Sequence, residues 1–271
     1  MSKIVFIGGG NMASCLIGGM LANGFSSQDI IVSEPNEASR QRIASTHGVI
    51  TTEDNISAVS QADIVVLAVK PQVMAAVAGP LAAGLDHGPI VVSIAAGIPV
   101  NALQNWLGQE LKIVRAMPNT PAMVQSGATG LFASQSLSED QHLVIENIFS
   151  AVGYACWVSQ ESDIDAVTAV SGSGPAYFFL IYEAMLKVAQ ELGLDRQTSS
   201  QLTLHTAMGA ARLALSSDRA PDELRKQVTS PGGTTQAAIE SFQAQDLEGI
   251  FRAAMTSALE RAKEMSDDFA S

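Results

Sequence analysis

Along its first 160 residues the chain alternates short apolar runs with longer mixed stretches. The runs lie at Ile4–Ile7, Ile30–Ser33, 49–51, 62–69, 90–95 and Ile113–Met117. They are dominated by Ile and Val and show no polar alternation, the pattern of strands buried on both faces of a parallel sheet. The stretches between them, 11–23, 37–46, 71–83 and 99–107, carry helical spacing. Two later strands are predicted at 129–133 and 155–158, on either side of a helix over 138–151. Strand and helix in alternation predict an α/β domain over 1–160 with a doubly wound, Rossmann-type sheet.

From residue 162 the strand pattern stops, and Ala, Leu, Met, Gln and Glu take over. These are good helix formers, so 161–271 is read as an all-α domain. The run Ser171-Gly172-Ser173-Gly174-Pro175 is read as a break before a new helix. In 177–192 the polar residues Glu183, Lys187, Gln190 and Glu191 make one narrow stripe, and nearly all the rest is apolar. A helix of that kind needs cover on several sides. A helical domain of roughly 110 residues has little interior to provide it, which points to a partner subunit. Leu247, Ile250, Phe251, Ala254, Met255 and Ala258 mark a final helix by their spacing.

The first strand runs directly into Gly8-Gly9-Gly10-Asn11-Met12-Ala13 and then into a helix. That context gives a Gly-x-Gly-x-x-Ala turn a physical meaning. Gly8 permits the tight turn, Gly10 removes a side chain where a backbone must approach a pyrophosphate, and Ala13 lets the helix lie against the strand. The amides at the helix start attract phosphate. Glu34, at the tip of the second strand, is the candidate for the adenosine ribose hydroxyls, which leans toward NADH. Arg40, a turn later, is a candidate for a 2′-phosphate. Other strands also end in small residues, Gly or Pro, so 68–71, 94–97 and 117–121 are expected to share one cleft with the glycine turn. Lys70 is read either as a cleft residue or as a helix-start residue facing water.

Composition narrows the function. The 271 residues hold 15 Lys and Arg against 27 Asp and Glu, a net charge of −12, which opposes nucleic-acid or anionic-membrane binding. No 18-residue apolar span is recognised; 89–100 is too short to cross a bilayer. The N-terminus lacks the pattern of a signal peptide, so a cytoplasmic protein is expected. Cys15 and Cys156 are read as reduced core residues. His47, His87, His142 and His205 show no ligand spacing, and no metal is expected.

One glycine-rich stretch interrupts the helices, Thr229-Ser230-Pro231-Gly232-Gly233-Thr234-Thr235. Exposed amides ahead of a helix form an anion site suited to a carboxylate, and the threonines add hydroxyl donors. An unliganded capping turn is the plainer reading of the same residues.

Several motifs together resemble the pyrroline-5-carboxylate reductase family. They are Gly8-Gly9-Gly10-Asn11-Met12, Ala68-Val69-Lys70-Pro71, 115–121 (Arg-Ala-Met-Pro-Asn-Thr-Pro), Asp165-Ala166-Val167-Thr168, Ser171-Gly172-Ser173-Gly174-Pro175-Ala176-Tyr177 and Ser230-Pro231-Gly232-Gly233-Thr234-Thr235. The resemblance covers nearly the whole chain. It implies reduction of 1-pyrroline-5-carboxylate to L-proline by NADPH or NADH, in a homodimer built from the helical domains, with assembly to a homodecamer in some members. Carried over by motif, the cofactor contacts are Ile7, Gly8, Gly9, Gly10, Asn11 and Met12, then Asn36 and Asn55; Glu34 stands beside them from its place at the strand tip, a position that varies in the family. Ala68, Val69, Lys70 and Pro71 join them, followed by Ile94, Ala95 and Ala96. The resemblance also implies that Ser230, Gly233, Thr234 and Thr235 hold the substrate, with Thr235 at the ring nitrogen and Glu161 as a further contact.

Two rival readings share the glycine turn. The β-hydroxyacid dehydrogenases carry a catalytic lysine soon after a glycine-rich helix start. Here the first lysine after Gly174 is Lys187, and imine reduction needs no such base. A non-catalytic NAD(P)-binding regulator has no use for the 230–235 loop.

Overall fold

The structure, a computed structural model, describes residues 2–108 and 110–270. The first half alternates as the apolar pattern requires: β1 (Ile4–Ile7), α1 (Asn11–Ala22), β2 (Ile30–Ser33), α2 (Glu37–His47), β3 (Ile50–Thr52), α3 (Asn55–Val59), β4 (Ile64–Leu67), α4 (Pro71–Leu81), β5 (Ile90–Ser93), α5 (Val100–Leu107) and β6 (Ile113–Met117). Then come β7 (Gly127–Ala133), α6 (Glu139–Ser150) and β8 (Gly153–Trp157). Among the described residues these strands form one sheet in the order β3-β2-β1-β4-β5-β6-β7-β8. All pairs are parallel except β6 with β7. The reversal follows from the connection: a short 3-10 turn at Thr120–Val124 joins them, too little chain for a parallel crossover.

Strand residues alternate between two cores. Ile4, Phe6, Ile30, Val32, Val66 and Val92 face the layer of α1, α2 and α6; Val5, Ile7, Val65, Leu67 and Val91 face α3, α4 and α5. Burial on both faces explains the unbroken Ile and Val runs. Each such side chain contributes about 1.5–3 kcal/mol when fully covered. Helix α3 escaped the sequence reading because its one turn is too short for periodicity; the Asp54 side chain caps it by accepting the Ser57 N–H. Cys15 and Cys156 are free but only half-buried, so neither is the core residue expected; both lie on elements whose outer face reaches solvent.

The second half contains α7 (Asp163–Val167), α8 (Gly174–Glu191), α9 (Arg196–Leu215), α10 (Pro221–Gln227), α11 (Thr234–Ala244) and α12 (Leu247–Ala270). The expected break before a new helix is there: Ser173 is a bend and α8 starts at Gly174, with Pro175 second; ahead of it lies a π turn over Thr168–Gly172, closed by a 2.8 Å bond from the Ser173 N–H to the Thr168 carbonyl. Residues 163–191 are helical but for that one bend. The run Asp163–Glu191 is therefore long and apolar enough, by length and composition, to span a membrane, which corrects the reading that no such stretch exists. Its sequence glycines hid this by looking like a stop.

By contact the chain forms two compact units, Met1–Pro175 with Ser257–Ser271, and Ala176–Thr256. This division differs from one drawn at residue 160. Helix α7 packs on β6 and β7, so it stays with the sheet. The last turns of α12 also belong there: Phe269 meets the Trp106 ring edge-on at 6.4 Å, and Met265 covers Gly97. In the second unit the apolar circumference of α8 is left open to water. Phe178 and Phe179 are each 58% exposed and Leu180 is 67% exposed. An isolated soluble helix does not retain such a surface, so this face calls for cover.

Candidate active site

At the end of β1 the backbone turns through Gly8 with φ +99°, a left-handed setting that a side chain rarely adopts. A Cβ there would also lie 2.8 Å from the Ala68 carbonyl oxygen. Gly9 is fixed by a different constraint, since a Cβ on it would strike the Ile43 side chain. Gly10 is the opposite case. A Cβ on Gly10 would meet nothing within 4 Å. Its missing side chain therefore serves the open space above it. Helix α1 starts there with no side-chain cap, and its first amides lack intrahelical acceptors. That is an anion site with room in front of it.

These glycines border a crevice of about 460 Å³ at the C-terminal ends of β1, β2 and β4, where the winding of the sheet reverses. Of the expected cofactor contacts, Ile7, Gly8, Gly10, Glu34, Asn55, Ala68, Val69 and Lys70 line it. Lys70 is thus a crevice residue as well as an exposed helix-start residue. Ser33 was not singled out from sequence, yet it lines the crevice and donates from its hydroxyl to Asn55 Oδ1 at 2.6 Å. Its signal was a lone polar residue closing an otherwise apolar strand.

Other expected contacts stand apart from the crevice wall. Gly9 is buried behind it. Asn11 and Met12 begin α1, Pro71 begins α4, and Asn36 caps α2 by accepting the Ser39 N–H. Ile94, Ala95 and Ala96 follow β5, the next strand along the sheet. The 117–121 segment, expected to share the cleft, follows β6 and is braced at Asn119. Asn119 Oδ1 accepts the Ala128 N–H at 2.9 Å, and its amide donates to the Ser171 carbonyl at 2.9 Å.

Glu34 is held at the glycine turn. One carboxylate oxygen accepts the Gly9 N–H at 2.9 Å and the other accepts the Asn36 N–H at 3.0 Å. Arg40 is engaged beside the crevice. It donates to the carbonyls of Glu34 and Pro35, both at 2.8 Å, and pairs with Glu53 at 3.1 Å. A depression of similar size, about 440 Å³, lies around Asp63, His87 and Asp140. Its glycine, Gly88, closes a turn that leads into a strand rather than a helix, and its carboxylates repel phosphate. Among the described residues no cluster of three His, Cys, Asp or Glu side chains is spaced to hold a metal ion.

Glu161 is engaged inside the sheet unit. Its Oε1 accepts the Val100 N–H at 2.7 Å and pairs with Arg115 Nη1 at 2.9 Å. Close by, Asp165 is buried, and desolvation raises its pKa above the ordinary carboxylate value; Arg115 and Lys263 pull it down, while Glu161 and Asp267 push it further up. A raised folded-state pKa means that the native chain holds this proton more tightly than the unfolded chain. Its contribution to stability is therefore lost as pH climbs from the unfolded carboxylate value, about 4, through the folded one. Asp165→Asn keeps the shape without the titration. Thermal melts are expected to show its Tm gain over wild type growing from about pH 4 to neutrality; equal differences at both ends would mean that Asp165 does not titrate in this way.

In the helical unit, the 230–235 loop turns through Gly232 at φ +71° into α11. The Gly232 N–H donates to Gln236 Oε1 at 2.7 Å, and the Gly233 N–H donates to the Ser230 carbonyl at 3.0 Å. The expected Gly233 amide is thus already committed within the loop. Thr234 and Thr235 are the first two residues of α11, the positions whose amides have no intrahelical acceptor. Gln236 was missed from sequence, because its partner depends on how the loop folds back.

Comparison with known proteins identifies the family. Residues 161–265 match the family model for pyrroline-5-carboxylate reductase dimerisation, and 3–97 match that for NADP oxidoreductase, coenzyme F420-dependent. The chain is similar to pyrroline-5-carboxylate reductase of Pseudomonas aeruginosa, 51% identical over 265 residues, covering 98% of this chain and 97% of that one. The Vibrio alginolyticus enzyme of that name is 43% identical, with 98% of each chain covered. Among solved structures, a pyrroline-5-carboxylate reductase from Coxiella burnetii matches at TM-score 0.94 and 45% identity over 98% of each chain. The Plasmodium falciparum pyrroline carboxylate reductase with NADP bound matches at TM-score 0.84 and 28% identity, again over 98% of each.

Proposed function

The chain belongs to the pyrroline-5-carboxylate reductases, and from that premise we propose how its residues share the reaction. It is an oxidoreductase of proline biosynthesis, reducing 1-pyrroline-5-carboxylate to L-proline with NADPH or NADH. The observation that carries the cofactor reading is the open crevice over Gly10. That space fits a dinucleotide: α1 amides meet the pyrophosphate, and Glu34 and Asn55 flank the adenosine side. Gly9, Asn11, Met12, Asn36 and Pro71 support this wall from behind and beside it, and 94–96 serve the nicotinamide half.

The cofactor supplies the hydride. The substrate is a cyclic imine with a carboxylate, and protonation of its nitrogen makes the ring carbon a far better acceptor. The chain's task is placement. In this reading Ser230, Gly233 and Thr234 shape and supply the carboxylate cradle, with the Thr234 amide as its main donor. The Thr235 hydroxyl orients the ring nitrogen. A threonine is a poor acid, so it relays or accepts a hydrogen bond rather than supplying the proton.

Functionally, 1–160 is the cofactor domain and 161–271 the substrate and dimerisation domain. The chain forms oligomers through its helical region. We read the smallest assembly as a homodimer covering the α8 face, able to build to a homodecamer, in the cytoplasm. The test is an absorbance assay of both reduced cofactors with 1-pyrroline-5-carboxylate. Turnover is expected with each. Glu34 repels a 2′-phosphate, so kcat/KM with NADH should at least equal that with NADPH. A preference for NADPH beyond about tenfold, or 1.4 kcal/mol, would remove Glu34 from the ribose site.

A further inference from the structure

Four contacts fix the turn that leaves β5 and enters α5. The Ile94 N–H donates to the Leu67 carbonyl at 3.2 Å, tying its start to β4. The Ala95 N–H lies 3.4 Å from Ser93 Oγ. Gly97, at φ +73°, packs under Met265. Its far end is held by a residue 61 positions away: the Glu161 carboxylate accepts the Val100 N–H at 2.7 Å.

That last contact is unusual for its location. Pro99 occupies the N-cap of α5 and offers no side-chain acceptor. A carboxylate from another segment takes over the cap, where the helix end favours negative charge. The same oxygen neutralises Arg115, whose side chain is only 5% exposed and whose strand position pairs with Ser93. Glu161 therefore joins the β5–α5 turn, β6 and the segment leading into α7 through one atom.

We propose that Glu161 is a positioning residue for the cofactor, setting the 94–99 turn, and not a ligand of the substrate. The inference rests on the reading above that 94–96 serve the nicotinamide half. Removing the carboxylate leaves the Val100 amide and Arg115 without their acceptor, and the turn loses its downstream anchor. Glu161→Gln retains an oxygen for the Val100 N–H; Glu161→Ala retains none.

The test compares both variants in the full-length protein. NADPH and NADH affinity is measured by fluorescence titration without substrate, and KM for 1-pyrroline-5-carboxylate is measured at saturating cofactor. Glu161→Ala should weaken cofactor binding about tenfold while leaving that KM within about twofold, with Glu161→Gln recovering most of the affinity. A tenfold rise in substrate KM with unchanged cofactor affinity would overturn the proposal and return Glu161 to the substrate. Unchanged values of both would also overturn it. If Glu161→Ala does not fold, Glu161→Asp, one methylene shorter, replaces it under the same two criteria. Wild-type protein that fails to turn over the imine would refute the reaction assigned above, while the cofactor titration would still decide the role of Glu161.

Discussion

Thr235→Ala is expected to lower kcat/KM for 1-pyrroline-5-carboxylate by about tenfold to a thousandfold, or roughly 1.4–4 kcal/mol of transition-state stabilisation. The reasoning begins with position. Thr235 is the second residue of α11, just past the Gly233 cap, so losing its hydroxyl removes no structural cap. Among the described residues its side chain has no hydrogen bond within the chain that the fold would lose. The Gly232–Gln236 bond that shapes the loop stays in place. The loss should thus appear in catalysis and leave the melting temperature alone. Cofactor affinity should stay close to wild type, because the dinucleotide contacts lie on other elements. Thr235→Ser, which restores the hydroxyl, should regain much of the rate. Wild-type turnover by Thr235→Ala would take this residue out of the site, and an equal fall in cofactor affinity would point to damage rather than chemistry.

Gly10→Val carries the second large effect. The backbone at Gly10 is at φ −71° and ψ −177°, an ordinary extended setting for any residue. Nothing lies within 4 Å of where its Cβ would stand. The free protein should therefore accept valine with a cost of about 1 kcal/mol or less at this cap position. The bound state is different. The added side chain fills the space through which a pyrophosphate must approach the helix amides. NADPH and NADH affinity should both fall by about a hundredfold, near 2.7 kcal/mol, in a calorimetric titration. Gly8→Ala is the control for the other kind of glycine. At φ +99°, with the Ala68 carbonyl 2.8 Å from the new Cβ, it should lose stability before any ligand is added. Wild-type affinity in a folded Gly10→Val protein would mean that the phosphates bind elsewhere.

These two glycines show what a motif can carry. Both belong to one sequence fingerprint, which already gives Gly8 to the backbone turn and Gly10 to an empty volume. The positive φ at Gly8 and the open space over Gly10 agree with it. Arg40 shows what a motif leaves out. Its place in the chain suggests a phosphate ligand, and the coordinates add partners that spacing does not reveal, two carbonyls and Glu53. Asn119, expected at the cleft, is also a brace between β7 and Ser171, which spacing did not suggest.

The sequence alone determined the sheet, most of the helices and the glycine turn. A strand buried on both faces must be apolar at every position, and a turn at positive φ beside a close carbonyl must be glycine. These demands are local and leave a pattern in the chain. It also determined the family, through motifs spread from Gly8 to Thr235. Tertiary structure decided what local pattern cannot encode. The π turn at Thr168–Gly172 narrowed the helix break to a single bend at Ser173. The end of α12 joined the sheet unit because Phe269 and Met265 found partners at Trp106 and Gly97, over 160 residues away. Glu161 was drawn to Val100 and Arg115 because a buried guanidinium and an uncapped helix start needed the same carboxylate. Such pairings depend on which charges and rings the fold brings within a few ångströms, and sequence spacing carries no record of that distance.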